Sequence, residues 1–232
     1  MTGTEPGEIR EIHQKLLERY GEPEEPKEMT GIEYLIETIL SQNTNDINRD
    51  KAFRNLKERY GNDWQEVVEA SQDELADTIR VAGLGPTKAE RIQRALEIAE
   101  ETRGEYSIEF LKDTDTEKAE SWLTDIPGIG PKTAAVILLF HFRKPKMPVD
   151  THVHRIAQRF ELVPEGCSRG KSHEILEDVV PDGIKYSFHK LLIAHGRETC
   201  KARNHLDNED CFERCIYYRE VVLGEKKPDE VV

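Results

Sequence analysis

Leu123-Thr124-Asp125-Ile126-Pro127-Gly128-Ile129-Gly130-Pro131-Lys132-Thr133-Ala134-Ala135 is the stretch on which the reading of the chain turns. Before it, Thr116 to Leu123 reads as a short helix. After it, Lys132 to Phe142 reads as a longer and more apolar one. Two helices joined by Pro-Gly-Ile-Gly make a tight helical hairpin over about residues 116–142. Gly128 and Gly130 supply backbone freedom, and without a Cβ they let another molecule's backbone come close. Pro131 suits the first helical position, where its missing N–H costs nothing. The unpaired N–H groups at that helix start, together with the helix dipole, suit a phosphate-like anion. The plain alternative is a helix–helix turn with no ligand.

Outward from the hairpin, nearly every segment has helical signals and none alternates like a strand. Pro6 to Tyr20 is a first helix, and Gly21 to Lys27 is a linker rich in Pro and Glu. Thr30 and Glu33 form a capping box for a helix through Gln42, with Ile32, Tyr34, Leu35, Ile39 and Leu40 mostly on one face. Helices follow over Asp46–Tyr60, Trp64–Ala70, Glu74–Val81 and Pro86–Arg103, with a short one from Tyr106 to Leu111. Gly83-Leu84-Gly85-Pro86 echoes Gly128-Ile129-Gly130-Pro131, which is more simply a shared helix-start chemistry than a repeat. Beyond the connector Lys144-Pro-Lys-Met-Pro, helices are expected from Asp150 to Leu162, Arg169 to Val179 and Ile184 to Gly196.

The chain has 232 residues, enough for one domain or two modest ones with a real core. No apolar run reaches the length that spans a membrane, and the first residues have neither the basic start nor the apolar centre of a signal peptide. Four cysteines outside a secretory context point to a reducing, cytoplasmic setting. The net charge of −13 argues against a polyanionic partner, but it is unevenly spread. Residues 127–160 carry six cations and one acid, and residues 185–203 carry five cations and one acid. A locally basic face on an acidic body is compatible with DNA.

Lys132 lies at the positive end of a helix, where a cation is disfavoured. A neutral amine there is a nucleophile, able to attack a sugar carbon and form a Schiff base. A phosphate-holding lysine with no catalytic duty is the alternative. Asp150 favours the first reading. The helix after Lys132 must end and a connector return before Pro148-Val149-Asp150-Thr151-His152, so this carboxylate can face the amine across a groove. There it would stabilise a positive sugar-like transition state or take a proton from the amine. An Asp ahead of a helix is also a natural N-cap, and the two roles are compatible.

Ile126-Pro-Gly-Ile-Gly-Pro-Lys132-Thr-Ala, then Pro148-Val-Asp150-Thr-His-Val, then His195-Gly-Arg-Glu-Thr-Cys200 together resemble the endonuclease III family. These are DNA glycosylases and AP lyases of the helix-hairpin-helix superfamily. The resemblance runs from about residue 30 to 200. It implies an all-α protein of two helical lobes with a DNA-binding cleft between them. One lobe is residues 1–29 plus 147–232, and the other is an inserted six-helix lobe over 30–146 carrying the hairpin.

The resemblance also implies a mechanism: the target nucleotide is flipped out, which costs least for a damaged base. Lys132 attacks C1′ of the sugar, Asp150 supports the developing charge, and the Schiff base permits β-elimination. The implied substrate is double-stranded DNA with oxidised pyrimidines or abasic sites. The expected species is a monomer in the cytoplasm, nucleoid-associated if prokaryotic. Branches that only remove the base lack this lysine. A monofunctional mismatch glycosylase for G:T or G:U, and a non-enzymatic helix-hairpin-helix DNA-binding protein, are the alternatives.

Leu40-Ser41-Gln42-Asn43-Thr44-Asn45-Asp46 matches the family's gap-filling segment, its plugging Gln falling on Asn43 with Gln42 just before. Leu84 matches an apolar wedge, and Gly128, Gly130, Thr133 and His152 complete the implied DNA contacts. The family's four-iron four-sulfur cluster takes four cysteines. Here Cys200, Cys211 and Cys215 give Cys-x10-Cys-x3-Cys with no fourth, and Cys167 lies far upstream. A degenerate loop with no cofactor is therefore expected.

Overall fold

The computed structural model describes residues 6–26 and 28–203. Among them every regular element is helical. The chain divides into two compact units, Pro26–Lys144 and Met1–Glu25 with Pro145–Val232.

In the unit Pro26–Lys144, α2 (Gly31–Ser41) begins at the Thr30/Glu33 capping box. Ile32, Leu35, Ile36, Ile39 and Leu40 are all buried, a stripe at helical spacing. Tyr34 lies at its edge, half-buried, its ring 5.5 Å from that of His141. Asn45 caps α3 (Asp46–Tyr60), and Lys57 of α3 reaches Glu33 at 2.6 Å, locking α3 to the start of α2. Asp63 and Ser71 each cap a short helix, α4 (Trp64–Glu69) and α5 (Gln72–Thr78). Because each has its own cap, the unit holds seven α-helices among the described residues, one more than the resemblance implies. After α5 the chain tightens into a 3-10 turn, Arg80–Ala82, where a continued helix was expected through Val81.

Helix α6 (Gly85–Arg103) runs through the middle of this unit and buries Ala89, Ile92, Ala95, Leu96 and Ala99. Gly85 starts it against α5, where a Cβ would stand 2.9 Å from the Ala76 carbonyl oxygen. Gly104 ends it in the left-handed conformation, the usual glycine stop. Asp115 caps α7 (Thr116–Thr124) with two backbone N–H bonds, and α8 (Pro131–Phe140) follows. Helix α8 buries Ala134, Ala135, Ile137, Leu138 and Leu139. Fully burying a Leu or Ile contributes about 1.5–3 kcal/mol, so α8 is anchored by its own apolar length. It ends two residues earlier than expected: Phe142 and Lys144 fold back and donate to Ile137 and Leu138.

The other unit joins α1 (Pro6–Tyr20) to α9 (Thr151–Arg159), α10 (Arg169–Val179) and α11 (Lys185–Glu198). Its core is Ile9, Ile12 and Leu16 with Val153, Ile156, Phe160, Phe188, Leu191 and Leu192. The entry segment is pinned by Lys146 to Glu177 and by Lys185, which donates to the Pro145 carbonyl at 3.0 Å.

Candidate active site

In the hairpin, burial alternates along the turn. Ile126 and Ile129 are buried, whereas Pro127, Gly128 and Gly130 are exposed. The two isoleucines hold the turn to the core and leave its backbone outward. Gly128 has φ +86°, which only glycine adopts at little cost. Gly130 caps α8 at an ordinary φ of −92°, so it needs no special freedom, contrary to expectation. A Cβ there would meet nothing within 4 Å, so what its small size leaves is open space over the turn. Among the described residues the amide N–H groups of Gly128, Gly130, Lys132 and Thr133 find no acceptor. Four amide donors without an internal acceptor, at the start of a ten-residue helix, are the arrangement that favours an anion. Lys132, at the second position of α8, is exposed, and its amine makes no hydrogen bond or ion pair among the described residues.

Two further loops of the same unit carry sequence-predicted residues. After α2, Gln42 is half-buried, and Asn43 is exposed with φ +54°. Gln42 Nε2 donates to the Gly128 carbonyl at 2.9 Å, and Gln42 Oε1 accepts from Arg91 at 2.7 Å. Asn43 makes no side-chain hydrogen bond among the described residues. After the 3-10 turn, Leu84 has φ +53° and its side chain is 57% exposed. A left-handed leucine with an exposed side chain is costly in backbone and in solvation, the combination from which a functional role is argued. The 83–86 turn does not copy the hairpin: Leu84, left-handed, caps α6, whereas extended Gly130 caps α8.

Asp150 lies in the other unit as the N-cap of α9. Its Oδ1 accepts from both the His152 and Val153 N–H groups at 2.8 Å. Both bonds fall on one oxygen, and Oδ2 has no hydrogen bond among the described residues. His152 is half-buried, and its Nδ1 accepts from Arg155 at 3.1 Å. Arginine only donates, so the imidazole proton sits on Nε2.

A family model for HhH-GPD superfamily base excision DNA repair proteins matches residues 36–182. The chain belongs to that superfamily. Endonuclease III of Thermotoga maritima is 34% identical over 94% of this chain and 96% of its own length. Endonuclease III of Sulfolobus acidocaldarius is 36% identical over 79% of this chain and 81% of its own. A putative DNA glycosylase of Arabidopsis thaliana is 34% identical over 76% of this chain, which spans 61% of that plant relative. Among solved structures, a non-covalent endonuclease III–DNA complex matches with a TM-score of 0.71 at 26% identity, covering 86% of this chain and 89% of that one. A trapped endonuclease III–DNA covalent intermediate matches with a TM-score of 0.70 at 25% identity, covering 86% of this chain and 90% of that one.

Against this HhH-GPD frame, several residues have duties the sequence did not disclose. Lys88, 1% exposed, donates to the Leu40 carbonyl at 2.8 Å and the Ala82 carbonyl at 2.9 Å. It thereby ties the end of α2 to the turn before Leu84. Burial, with a smaller push from Arg91, lowers its pKa. Its one legible signal is its place within the first turn of α6, facing inward with Ala89 and Ile92. In the other unit, Gly196 allows α9 to pack on α11, since a Cβ would come within 3.0 Å of Arg155 and His152 atoms. Cys200 is buried, and Arg159 donates to its sulfur at 2.9 Å, an arrangement equally suited to a thiolate and to a metal-bound sulfur. Cys211 and Cys215, the other candidate cluster ligands, lie outside the described residues. Among the described residues no group of three or more His, Cys, Asp or Glu is placed to hold a metal ion.

The basic stretches also read differently in three dimensions. Lys144, Lys146, Arg155, Arg159, Lys185 and Lys190 all donate to internal carbonyl, carboxylate, imidazole or thiol groups. Lys132, Arg197, Lys201 and Arg203 stand exposed. Much of the cation count is structural, and the hairpin amides carry more of the case for phosphate. No helix among the described residues is long and apolar enough to cross a membrane.

Proposed function

We propose that this chain is a base-excision DNA glycosylase with AP-lyase activity, acting on oxidised pyrimidines and abasic sites in duplex DNA. The observation that carries the reading is Lys132: a lone exposed amine on the first turn of α8, beside four outward amide donors, in a chain of the HhH-GPD superfamily. The endonuclease III name of its relatives and the covalent DNA intermediate of a structural neighbour support it.

The amides of Gly128, Gly130, Lys132 and Thr133 hold a backbone phosphate, which brings the sugar of a flipped nucleotide to the amine. Lys132 Nζ, deprotonated, attacks C1′; the C1′–N bond of the base breaks and the base leaves with a proton. The C1′–O4′ bond then opens, O4′ takes up the proton that the amine loses, and the C1′=Nζ Schiff base forms. Removal of a C2′ proton then expels the 3′ phosphate by β-elimination, and water releases the lysine. Asp150, held in place by its two amide bonds, offers Oδ2 to the cationic sugar or to the amine's proton. Asn43 fills the gap in the duplex, Leu84 is the apolar wedge, and His152 offers Nε2–H to the DNA backbone. No step passes through a metal or a cluster, and three cysteines after residue 199 are one short of a four-cysteine set.

Borohydride trapping on a duplex with an oxidised pyrimidine or an abasic site tests this. Wild-type protein should give a covalent adduct and Lys132→Ala none. Undiminished trapping by Lys132→Ala would remove Lys132 from the reaction. Base release without strand cleavage by the wild type would select the monofunctional glycosylase instead.

A further inference from the structure

Gln42 precedes the exposed Asn43, and both fall within the gap-filling segment. Their surroundings differ sharply. The Gln42 amide has both ends committed, with Oε1 on Arg91 and Nε2 on the carbonyl of Gly128. Its orientation is forced by chemistry, since a guanidinium only donates and a carbonyl only accepts. The bond from Arg91 is charge-assisted and therefore among the stronger of its kind. Gly128 is shaped for this contact: a Cβ there would stand 2.4 Å from Arg91 Nε, so only glycine lets the arginine lie against the hairpin. Arg91 sits three residues after Lys88 on α6, on the same face. Lys88 holds the end of α2 and the turn before Leu84, and Arg91 holds Gln42.

We propose that Gln42 is a positioning residue, which links the gap-filling Asn43 loop to the Lys132 hairpin through Arg91 and the Gly128 carbonyl. This rests on the functional reading above and deepens it. A loop that fills the duplex and a hairpin that delivers the nucleophile must act on the same nucleotide. Three turns that carry those duties are braced by two residues of one helix, Lys88 and Arg91. Gln42 makes that brace bear on the hairpin itself. Asn43, with no side-chain hydrogen bond among the described residues, is the side chain available to enter the gap.

Single-turnover rates on a duplex with an oxidised pyrimidine test the link, normalised to the trappable fraction of each preparation. Gln42→Ala and Arg91→Met should each slow base removal about 5-fold, and the double variant should be no slower than the slower single, the mark of one shared interaction. The loss should fall on kcat rather than KM. Gln42→Glu keeps an acceptor for Arg91 but sets a carboxylate oxygen against the Gly128 carbonyl. It should match Gln42→Ala in rate while melting like wild type, which a purely structural role would not produce. Asn43→Ala should lose more than either single. The proposal is overturned if the Gln42 and Arg91 losses multiply. It is also overturned if Arg91→Met and Asn43→Ala are neutral while Gln42→Ala collapses, because Gln42 would then itself fill the gap. Wild-type protein that neither traps nor releases base would overturn the functional reading and this inference with it.

Discussion

At the scale of single residues, Leu84 combines a left-handed backbone with an exposed apolar side chain. Leucine in that conformation costs on the order of 1 kcal/mol, which glycine would not incur. Leu84→Gly should therefore leave the melting temperature unchanged or raise it, while slowing base removal from duplex DNA. A fall in stability with full activity would count against a wedge. Leu84 stood out in Gly83-Leu84-Gly85-Pro86 through the family resemblance, but its strain was not legible, since sequence does not report φ. Lys88 was legible only by its place in the first turn of α6. Written as Pro86-Thr87-Lys88-Ala89 it looks like any solvated lysine near a helix start. Only the fold shows two carbonyls, from residues 48 and 6 positions away, closing on its amine. Gln42 and Asn43 could not be told apart in sequence because the difference lies in Arg91 and Gly128, both distant in the chain.

At the scale of elements, the observed cap of α9 and the chemical duty proposed for Asp150 can be separated by substitution. Asp150 satisfies two orphan N–H groups at the start of α9 through Oδ1 alone. Asn caps as well as Asp, so Asp150→Asn should hold the melting temperature close to wild type. It should nevertheless lower the single-turnover rate by about 100-fold, within the usual range for a positioned acid or base. Asp150→Ala should lose the cap as well, costing about 1 kcal/mol of stability. Equal rates for Asp150→Asn and wild type would reduce Asp150 to a cap. Helix positions were mostly readable because a cap such as the Thr30/Glu33 box is a local signal. Helix ends were read less well. The 3-10 turn at Arg80–Ala82 and the fold-back after Phe140 depend on tertiary hydrogen bonds and packing. His195-Gly196 reads as a motif in the sequence, and its physical reason appears only when α9 and α11 meet at the glycine.

At the scale of the whole molecule, acid should unfold the protein through a buried imidazole. His195 is fully buried, with Tyr20 O–H at 2.9 Å from its Nδ1, and burial followed by Arg19, Arg155 and Arg159 lowers its pKa to about 4. The unfolded chain takes up the proton near the ordinary value of 6.5, so protons favour unfolding below that pH. The stability tied to neutral His195 is complete above pH 6.5 and is lost as pH falls to about 4, a total of roughly 3 kcal/mol. His154 and His13, also lowered chiefly by burial, act in the same direction. Melting temperatures between pH 7 and 4.5 should fall steeply for wild type and less steeply for His195→Gln. Parallel slopes would show that other groups control the acid limb.

The outward amides of the 127–133 turn have a consequence for ionic strength. Affinity that comes from neutralising phosphates with lysine and arginine releases condensed counterions, and so weakens steeply with salt. An amide N–H binds a phosphate oxygen while displacing far less of that ion atmosphere. On a chain of net charge −13, with much of its local cation count spent on internal carbonyls, the logarithm of affinity against the logarithm of salt concentration should slope gently. The slope should correspond to fewer ions than the number of phosphates touched. Duplex binding measured from low to high potassium chloride checks this, and a slope matching a fully cationic footprint would contradict it. An enzyme built this way keeps its grip on damaged DNA in solutions where a lysine-coated binder would let go.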